Sequence, residues 1–132
     1  MVEPVVVVDA ANVVGSVPNG WWRDRAGAAA RLRDALVPVA AAGLGSDAEV
    51  PDWARTGPVR VVLVVEGAAR HVPAVPGVEV VSAPRSGDDA IVALVRDEAP
   101  DRCLVVTADR ELRRRVRELG AEVTGPRSVY RA

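Results

Sequence analysis

The sequence predicts an α/β fold, a three-layer sandwich with a central parallel sheet and helices on both faces. Two observations carry this. Valine collects in short runs without polar alternation, at residues 5–8, 61–65, 78–81 and 104–106. β-Branched runs of that kind mark strands covered on both faces, the condition of a parallel sheet. Between the runs lie segments with helical spacing, so strands and helices alternate along the chain. With right-handed crossovers, all strand carboxyl ends then lie along one edge of the sheet. Ligands bind at that edge, near the point where strand order reverses.

The elements follow in order. The first run, Val5-Val6-Val7-Val8, leads directly into Asp9. Residues 23–36 are alanine-rich, with Leu32 and Leu36 one turn apart, and read as a helix. Pro38 is expected to end or kink it, because proline lacks an N–H and crowds the preceding turn. Residues 39–42 offer a continuation as far as Gly43. Residues 43–58 show no periodicity and read as a long loop excursion within a single domain spanning 1–132; such loops are usually functional or mobile. The second strand, 61–65, ends at Glu66, and the connection 67–77 holds two prolines and leaves space for a turn or two of helix. The third strand, 78–81, is followed by a helix over 88–99 that Pro100 stops. The fourth, 104–106, precedes a helix over 110–119, with Leu112, Val116 and Leu119 on one face and Gly120 just past its end. A short fifth strand is expected at 121–124.

Composition narrows the chemistry. The 132 residues are 49% hydrophobic and 27% charged, with a net charge of −1. A chain of this length buries roughly 70% of its unfolded surface and needs no staples. The lone cysteine, Cys103, excludes an internal disulfide and a multi-cysteine metal site. The lone histidine, His71, excludes a His-pair zinc site. All 17 basic residues are arginine. A chain without lysine is neither a Walker P-loop enzyme nor a Schiff-base or pyridoxal enzyme. No serine stands in a GxSxG setting. The balanced charge argues against a strong non-specific nucleic-acid binder, but not against an enzyme that meets phosphates through metal ions. The apolar run at 5–8 is far short of the ~20 residues a membrane span needs. With no segment that reads as a targeting signal, a cytoplasmic protein without a membrane partner is expected.

Each of the four main strands is followed closely by an acid: Asp9, Glu66, the pair Asp88 and Asp89, and Asp109. The topology would gather them on one edge. Like charges brought together raise one another's pKa, and the cost is offset when a hard divalent cation sits between them. Carboxylates with an amide oxygen suit Mg²⁺ or Mn²⁺ rather than zinc. The first junction, Asp9-Ala10-Ala11-Asn12-Val13-Val14-Gly15, lacks the glycines of a dinucleotide site. A second aspartate two residues after the first, as a haloacid-dehalogenase phosphatase requires, is replaced by Ala11.

Three motifs carry a family resemblance. Val7-Val8-Asp9-Ala10-Ala11-Asn12 resembles the Asp-x-x-Asn opening of the NYN branch of the PIN-like nuclease superfamily. Ser86-Gly87-Asp88-Asp89-Ala90-Ile91 resembles its second acidic motif, and Thr107-Ala108-Asp109 its Thr/Ser-x-Asp motif after the fourth strand. In order and spacing they span almost the whole chain and are similar to the bacterial YacP-like group. The resemblance implies a parallel sheet of order 3-2-1-4-5 and a Mg²⁺- or Mn²⁺-dependent endoribonuclease. It implies Asp9, Asp88, Asp89, Asp109 and Glu66 as metal-site residues, with Asn12 beside them in catalysis. The family's second motif often has one aspartate where this chain has two, so which of Asp88 and Asp89 faces the metal stays open. Relatives often pair, which makes a homodimer an expectation.

Each residue has a second reading. Asn12 suits the orientation of a water or substrate oxygen, and equally an unusual turn. Ser86 and Asp89 have capping-box spacing, and Asp109 is placed to cap its helix. Thr107 is placed to hydrogen-bond Asp109 or a phosphate, and Thr107, Arg85 and Arg110 are candidate substrate contacts. Arg110, Arg113, Arg114, Arg115 and Arg117 make a basic helix that either guides RNA by charge or is a solvated face. Trp21 and Trp22 either stack on bases or staple the helix entry. The substrate reading is single-stranded or structured RNA. The competing readings are a weakly active module that binds RNA or protein, and a metal-dependent phosphohydrolase of small nucleotides.

Overall fold

A computed structural model describes residues 4–46, 48–98 and 102–130. Five parallel strands form one sheet: β1 (Val5–Asp9), β2 (Arg60–Val65), β3 (Val78–Ser82), β4 (Cys103–Val106) and β5 (Glu122–Thr124). Their order is β3-β2-β1-β4-β5. The expected α/β class, parallel sheet and strand order are those observed. All five residues of β1 are buried, and so are all four of β4. This is why their valines show no alternation: both faces of the central strands are covered.

The helices are α1 (Ala10–Gly15), α2 (Arg25–Ala42), α3 (Asp52–Arg55), α4 (Gly87–Glu98) and α5 (Arg110–Glu118). Two cores result. On one face Val6, Val8, Leu63 and Leu104 meet α1 and α2 through Val13, Ala28, Leu32 and Leu36. On the other, Val5, Val7, Val62 and Val105 meet α4 and α5 through Ile91, Val95, Leu112 and Val116. Alternate residues of each strand thus serve opposite cores.

The connections from β1 through β2 to β3 therefore run outward on one face, and those from β3 through β4 to β5 run back on the other. Strand order reverses between β1 and β4. The crevice at their carboxyl ends is the topological switch point, where open α/β sheets bind ligands.

One local alternative is resolved and two expectations change. Pro38 lies inside α2, which runs on to Ala42. Its ring is exposed, and the turn before it tolerates the lost hydrogen bond because Leu36 and Ala40 stay packed on the sheet. Residues 43–58 are not structureless: α3 forms there, and Leu44 and Gly45 donate to the carbonyls of Ala54 and Arg55 at 2.8 and 3.2 Å. Gly43 makes this return possible, since a Cβ at that position would lie 2.6 Å from the Arg55 backbone. The residues after Asp9 form a helix that was not expected, α1, too short to show a period. The expected helix end at residues 99 and 100 lies outside the described residues.

Candidate functional site

Asp9 closes β1 with its backbone in the sheet and its side chain capping α1. Its Oδ1 accepts from the Asn12 N–H at 3.4 Å. Val8 is in register with Val106, so the next residues, Asp9 and Thr107, face each other across the switch point. The Thr107 hydroxyl donates to Asp9 Oδ2 at 2.9 Å and accepts from the Asp109 N–H at 3.1 Å. Thr107 is fully buried. It lies beneath the site and fixes Asp9, rather than facing a substrate.

Asn12 bridges the same two loops. Its side-chain oxygen accepts from the Ala108 N–H at 2.8 Å, tying α1 to the segment after β4. Asp109 caps α5, with Oδ1 accepting from the Leu112 N–H at 3.0 Å. The capping reading of Asp109 is thus observed, and it leaves the second carboxylate oxygen for other work. Arg113 locks the loop by donating from Nε to the Thr107 carbonyl at 2.7 Å. Helical side chains lean toward the helix N-terminus, so the spacing of Arg113 one turn past Asp109 is the signal the sequence carries for this contact.

The two aspartates of the second motif part company. Ser86 accepts from the Asp89 N–H at 3.3 Å, and the Asp89 carboxylate turns to Arg115 at 3.1 Å. The Asp88 carboxyl feels the charges of Asp109 and Glu66, and its own charge adds to the rise at Asp9. Glu66 reaches the same place because Gly87 opens α4; a Cβ on Gly87 would sit 3.1 Å from Glu66 Oε1.

The electrostatics follow first from burial and then from the neighbouring acids. Burial pushes the Asp9 carboxyl up to about 6 from an ordinary 3.8. Its bonds from Thr107 and Asn12 pull the other way, and the negative charges of Asp88 and Glu66 add to the rise. The Asp88 carboxyl is also raised, first by burial and then by Asp109 and Glu66, with Arg115 opposing. Perturbed carboxyls in a crevice at a switch point mark a functional-site candidate.

The donor chemistry is all hard oxygen, which fits Mg²⁺ or Mn²⁺. Among the described residues no three His, Cys, Asp or Glu side chains draw close enough to cage a metal by themselves. Mg²⁺ is usually bound by one or two carboxylates together with water and substrate phosphate.

Beside the acids lies a cavity of about 300 Å³, whose lining includes Ala10, Ala11, Trp21, Arg25, Glu66 and Ala69. Trp21 is half-buried and packs on the core, while Trp22 is 55% exposed. Their rings meet edge-on at 6.1 Å. Arg25, unread in the sequence, lies 5.5 Å from the Trp21 ring centroid. Arg85 and Arg110 are exposed at the same edge, ahead of α4 and at the start of α5. The rest of the basic helix is largely engaged: Arg114 pairs with Glu111 and Glu118, and Arg115 with Asp89.

The chain matches no protein-family model, and no curated protein matches it. A solved structure does match: Rae1 (YacP) from Bacillus subtilis, with a TM-score of 0.71 and 17% identity. The likeness covers 96% of this chain and 72% of that one. The chain has a YacP-like fold. No helix among the described residues is long and apolar enough to cross a membrane.

Proposed function

We propose that this chain is a metal-dependent endoribonuclease that hydrolyses RNA phosphodiester bonds at the edge formed by Asp9, Asp88 and Asp109. One observation carries the reading: acids from distant parts of the sequence share one switch-point edge, with Asp9 and Asp109 tied to the same buried Thr107 hydroxyl and the charges of Asp88 and Glu66 adding to the rise that burial gives the Asp9 carboxyl. Two independent lines agree with it. The Asp-x-x-Asn, Gly-Asp-Asp and Thr-x-Asp motifs resemble the YacP-like NYN group, and the fold is similar to that of Rae1 (YacP).

Asp9 and Asp109 would hold Mg²⁺ or Mn²⁺ directly or through its waters, with Asp88 completing the site and Glu66 at the rim. When bound, such a cation supplies an acidified water and neutralises charge gathering on the phosphate. The chain's own residues do the rest. Thr107 holds Asp9 in one rotamer through the 2.9 Å bond. Asn12 fixes the distance between the first and third motifs through Ala108. Arg110 and Arg85, exposed at the edge, offset the repulsion between the acids and an incoming phosphate. Asp89, paired with Arg115, anchors α4 to α5 and is assigned a supporting part. The setting is a cytoplasmic enzyme acting on single-stranded or loop-containing RNA, with a homodimer as the assembly to test.

The experiment is cleavage of a labelled RNA by purified protein with Mn²⁺, wild type against Asp9→Asn. Cleavage by wild type and its loss in the variant are expected. Equal rates would assign the activity to a contaminant. Nucleoside triphosphate turnover under the same conditions, without RNA cleavage, would favour a small-nucleotide phosphohydrolase.

A further inference from the structure

The cavity beside the acids has a composition the acids themselves do not explain. Its floor is made of small apolar side chains, among them Ala10, Ala11, Ala29 and Ala69. Its one aromatic wall is Trp21, and its two charged groups are Arg25 and Glu66. Ala10 and Ala11 follow Asp9 directly, and the charge of Glu66 is felt by both Asp9 and Asp88. The cavity and the acidic crevice therefore share a wall.

Trp21 is held rather than loose. Its indole lies over Gly15, 3.7 Å from where a Cβ would stand, and meets Trp22 edge-on. The Arg25 guanidinium lies 5.5 Å from its ring centroid. Indole and guanidinium are the planes on which unpaired bases stack. A volume of about 300 Å³ stands at the lower end of the range for small-molecule sites, ~300–1,000 Å³. It is large enough to admit one base, and the faces of a paired base are covered by its neighbours in a duplex.

We infer that this cavity seats a single unpaired nucleobase of the RNA strand, stacked on the Trp21–Arg25 pair, beside the phosphate presented to the acids. The inference rests on the nuclease reading of the acidic edge and names its substrate class: a strand with at least one base free of pairing. The acids repel the backbone, so the strand needs an anchor that does not depend on phosphate charge alone. Stacking supplies that anchor, and it tolerates any base because every base has a π-face. Arg25 adds a cation at the cavity wall, where the neighbouring phosphate has a partner of opposite sign.

The test separates binding from cleavage. A 2′-O-methyl tetranucleotide, which resists hydrolysis, is titrated in EDTA while tryptophan fluorescence is followed. Wild type is expected to bind with quenching. Trp21→Leu should weaken binding at least tenfold and lose the quench, Trp21→Tyr should recover most of the affinity, and Trp22→Leu, which removes only an edge contact to Trp21, should cost less than Trp21→Leu. Arg25→Gln should weaken binding severalfold and lower the salt dependence by about one phosphate contact. A folded Trp21→Leu that binds like wild type overturns the inference, and so does a duplex of the same sequence binding as tightly as the strand. A mononucleotide that binds as tightly as the tetranucleotide also overturns it, in favour of a small-nucleotide substrate. If Trp21→Leu does not fold, Arg25→Gln decides: unchanged affinity with an unchanged salt slope removes the cavity from substrate binding. Loss of the nuclease reading is seen elsewhere, as intact RNA in the Mn²⁺ assay while the tetranucleotide still binds.

Discussion

Asp9 is only 4% exposed, and its two hydrogen bonds do not repay the loss of water. The sign of the consequence is fixed. An acid whose folded pKa stands above its unfolded value contributes stability that is complete below the unfolded pKa and is lost as pH rises through the folded one. For Asp9 that window runs from about 4 to about 6. In EDTA the wild type should therefore lose stability between these values, by up to ~3 kcal/mol at 1.36 kcal/mol per unit. Asp9→Asn removes the charge and should unfold at higher temperature than wild type at pH 8 and not at pH 4, measured by calorimetry without divalent ions. A variant that is less stable at both values would show that Asp9 is held ionised by contacts stronger than those seen. Thr107 carries the companion prediction. Thr107→Val leaves the Asp9 oxygen and the Asp109 N–H without the buried hydroxyl between them, a loss of about 1–3 kcal/mol. It should also push the Asp9 carboxyl still higher, because the lost bond favours the charged form, and a carboxyl titration by NMR reads that directly.

Among the elements, α2 breaks the rule that a proline ends a helix. Pro38 sits four residues from its last position, its ring on the exposed side. Packing on the sheet by Leu32, Leu36 and Ala40 outweighs the missing donor. Proline is about 3 kcal/mol worse than alanine in a helix interior, and it restricts the unfolded chain by up to ~1 kcal/mol in compensation. Pro38→Ala should therefore stabilise the protein by about 1–2 kcal/mol, seen as a higher denaturant midpoint with an unchanged slope. An equal or lower midpoint would mean that this turn is already relaxed around the proline. The same element shows why strands were easier to read than helices. A buried valine run has one meaning in a parallel sheet, and all four long strands were legible from it. A six-residue helix such as α1 has no room for a period, and its cap, Asp9, was read for its charge alone. Residues 43–58 were opaque for a related reason: α3 is one turn long, and the backbone bonds that hold it come from across the loop.

For the whole molecule, the strand ends were predictable and the side-chain directions were not. Topology alone brings Asp9, Glu66, Asp88 and Asp109 to one edge, so valine runs followed by acids sufficed to name them. What separates Asp88 from Asp89 is Arg115, 26 positions further along in the chain, on a helix of another layer. No local pattern encodes that choice, and the one between Asp109 and a phosphate as the partner of Thr107 has the same origin, since burial of Thr107 beside Asp109 is a property of the packed layers. The assembled edge leads to a prediction of its own. Carboxylates that repel one another destabilise the native state, and a cation bound among them reverses the effect. At a hundredfold excess over its dissociation constant, such an ion adds about 2.7 kcal/mol. For a domain of this size that is a rise in Tm on the order of 10 °C. The rise should be full at pH 8 and small near pH 4.5, where Asp9 holds its proton and must release it for the ion to bind. Calorimetry of Mn²⁺ in two buffers of different ionisation heat should then reveal proton release that grows below pH 6 and vanishes above pH 7. Asp109→Ala should lose both the Tm rise and the proton release, while the missing helix cap takes about 1 kcal/mol from its metal-free stability. A Tm that ignores Mn²⁺ and Mg²⁺ across this range would leave the four acids as a strained edge with no cation to relieve it, and the hydrolytic reading would fall with it.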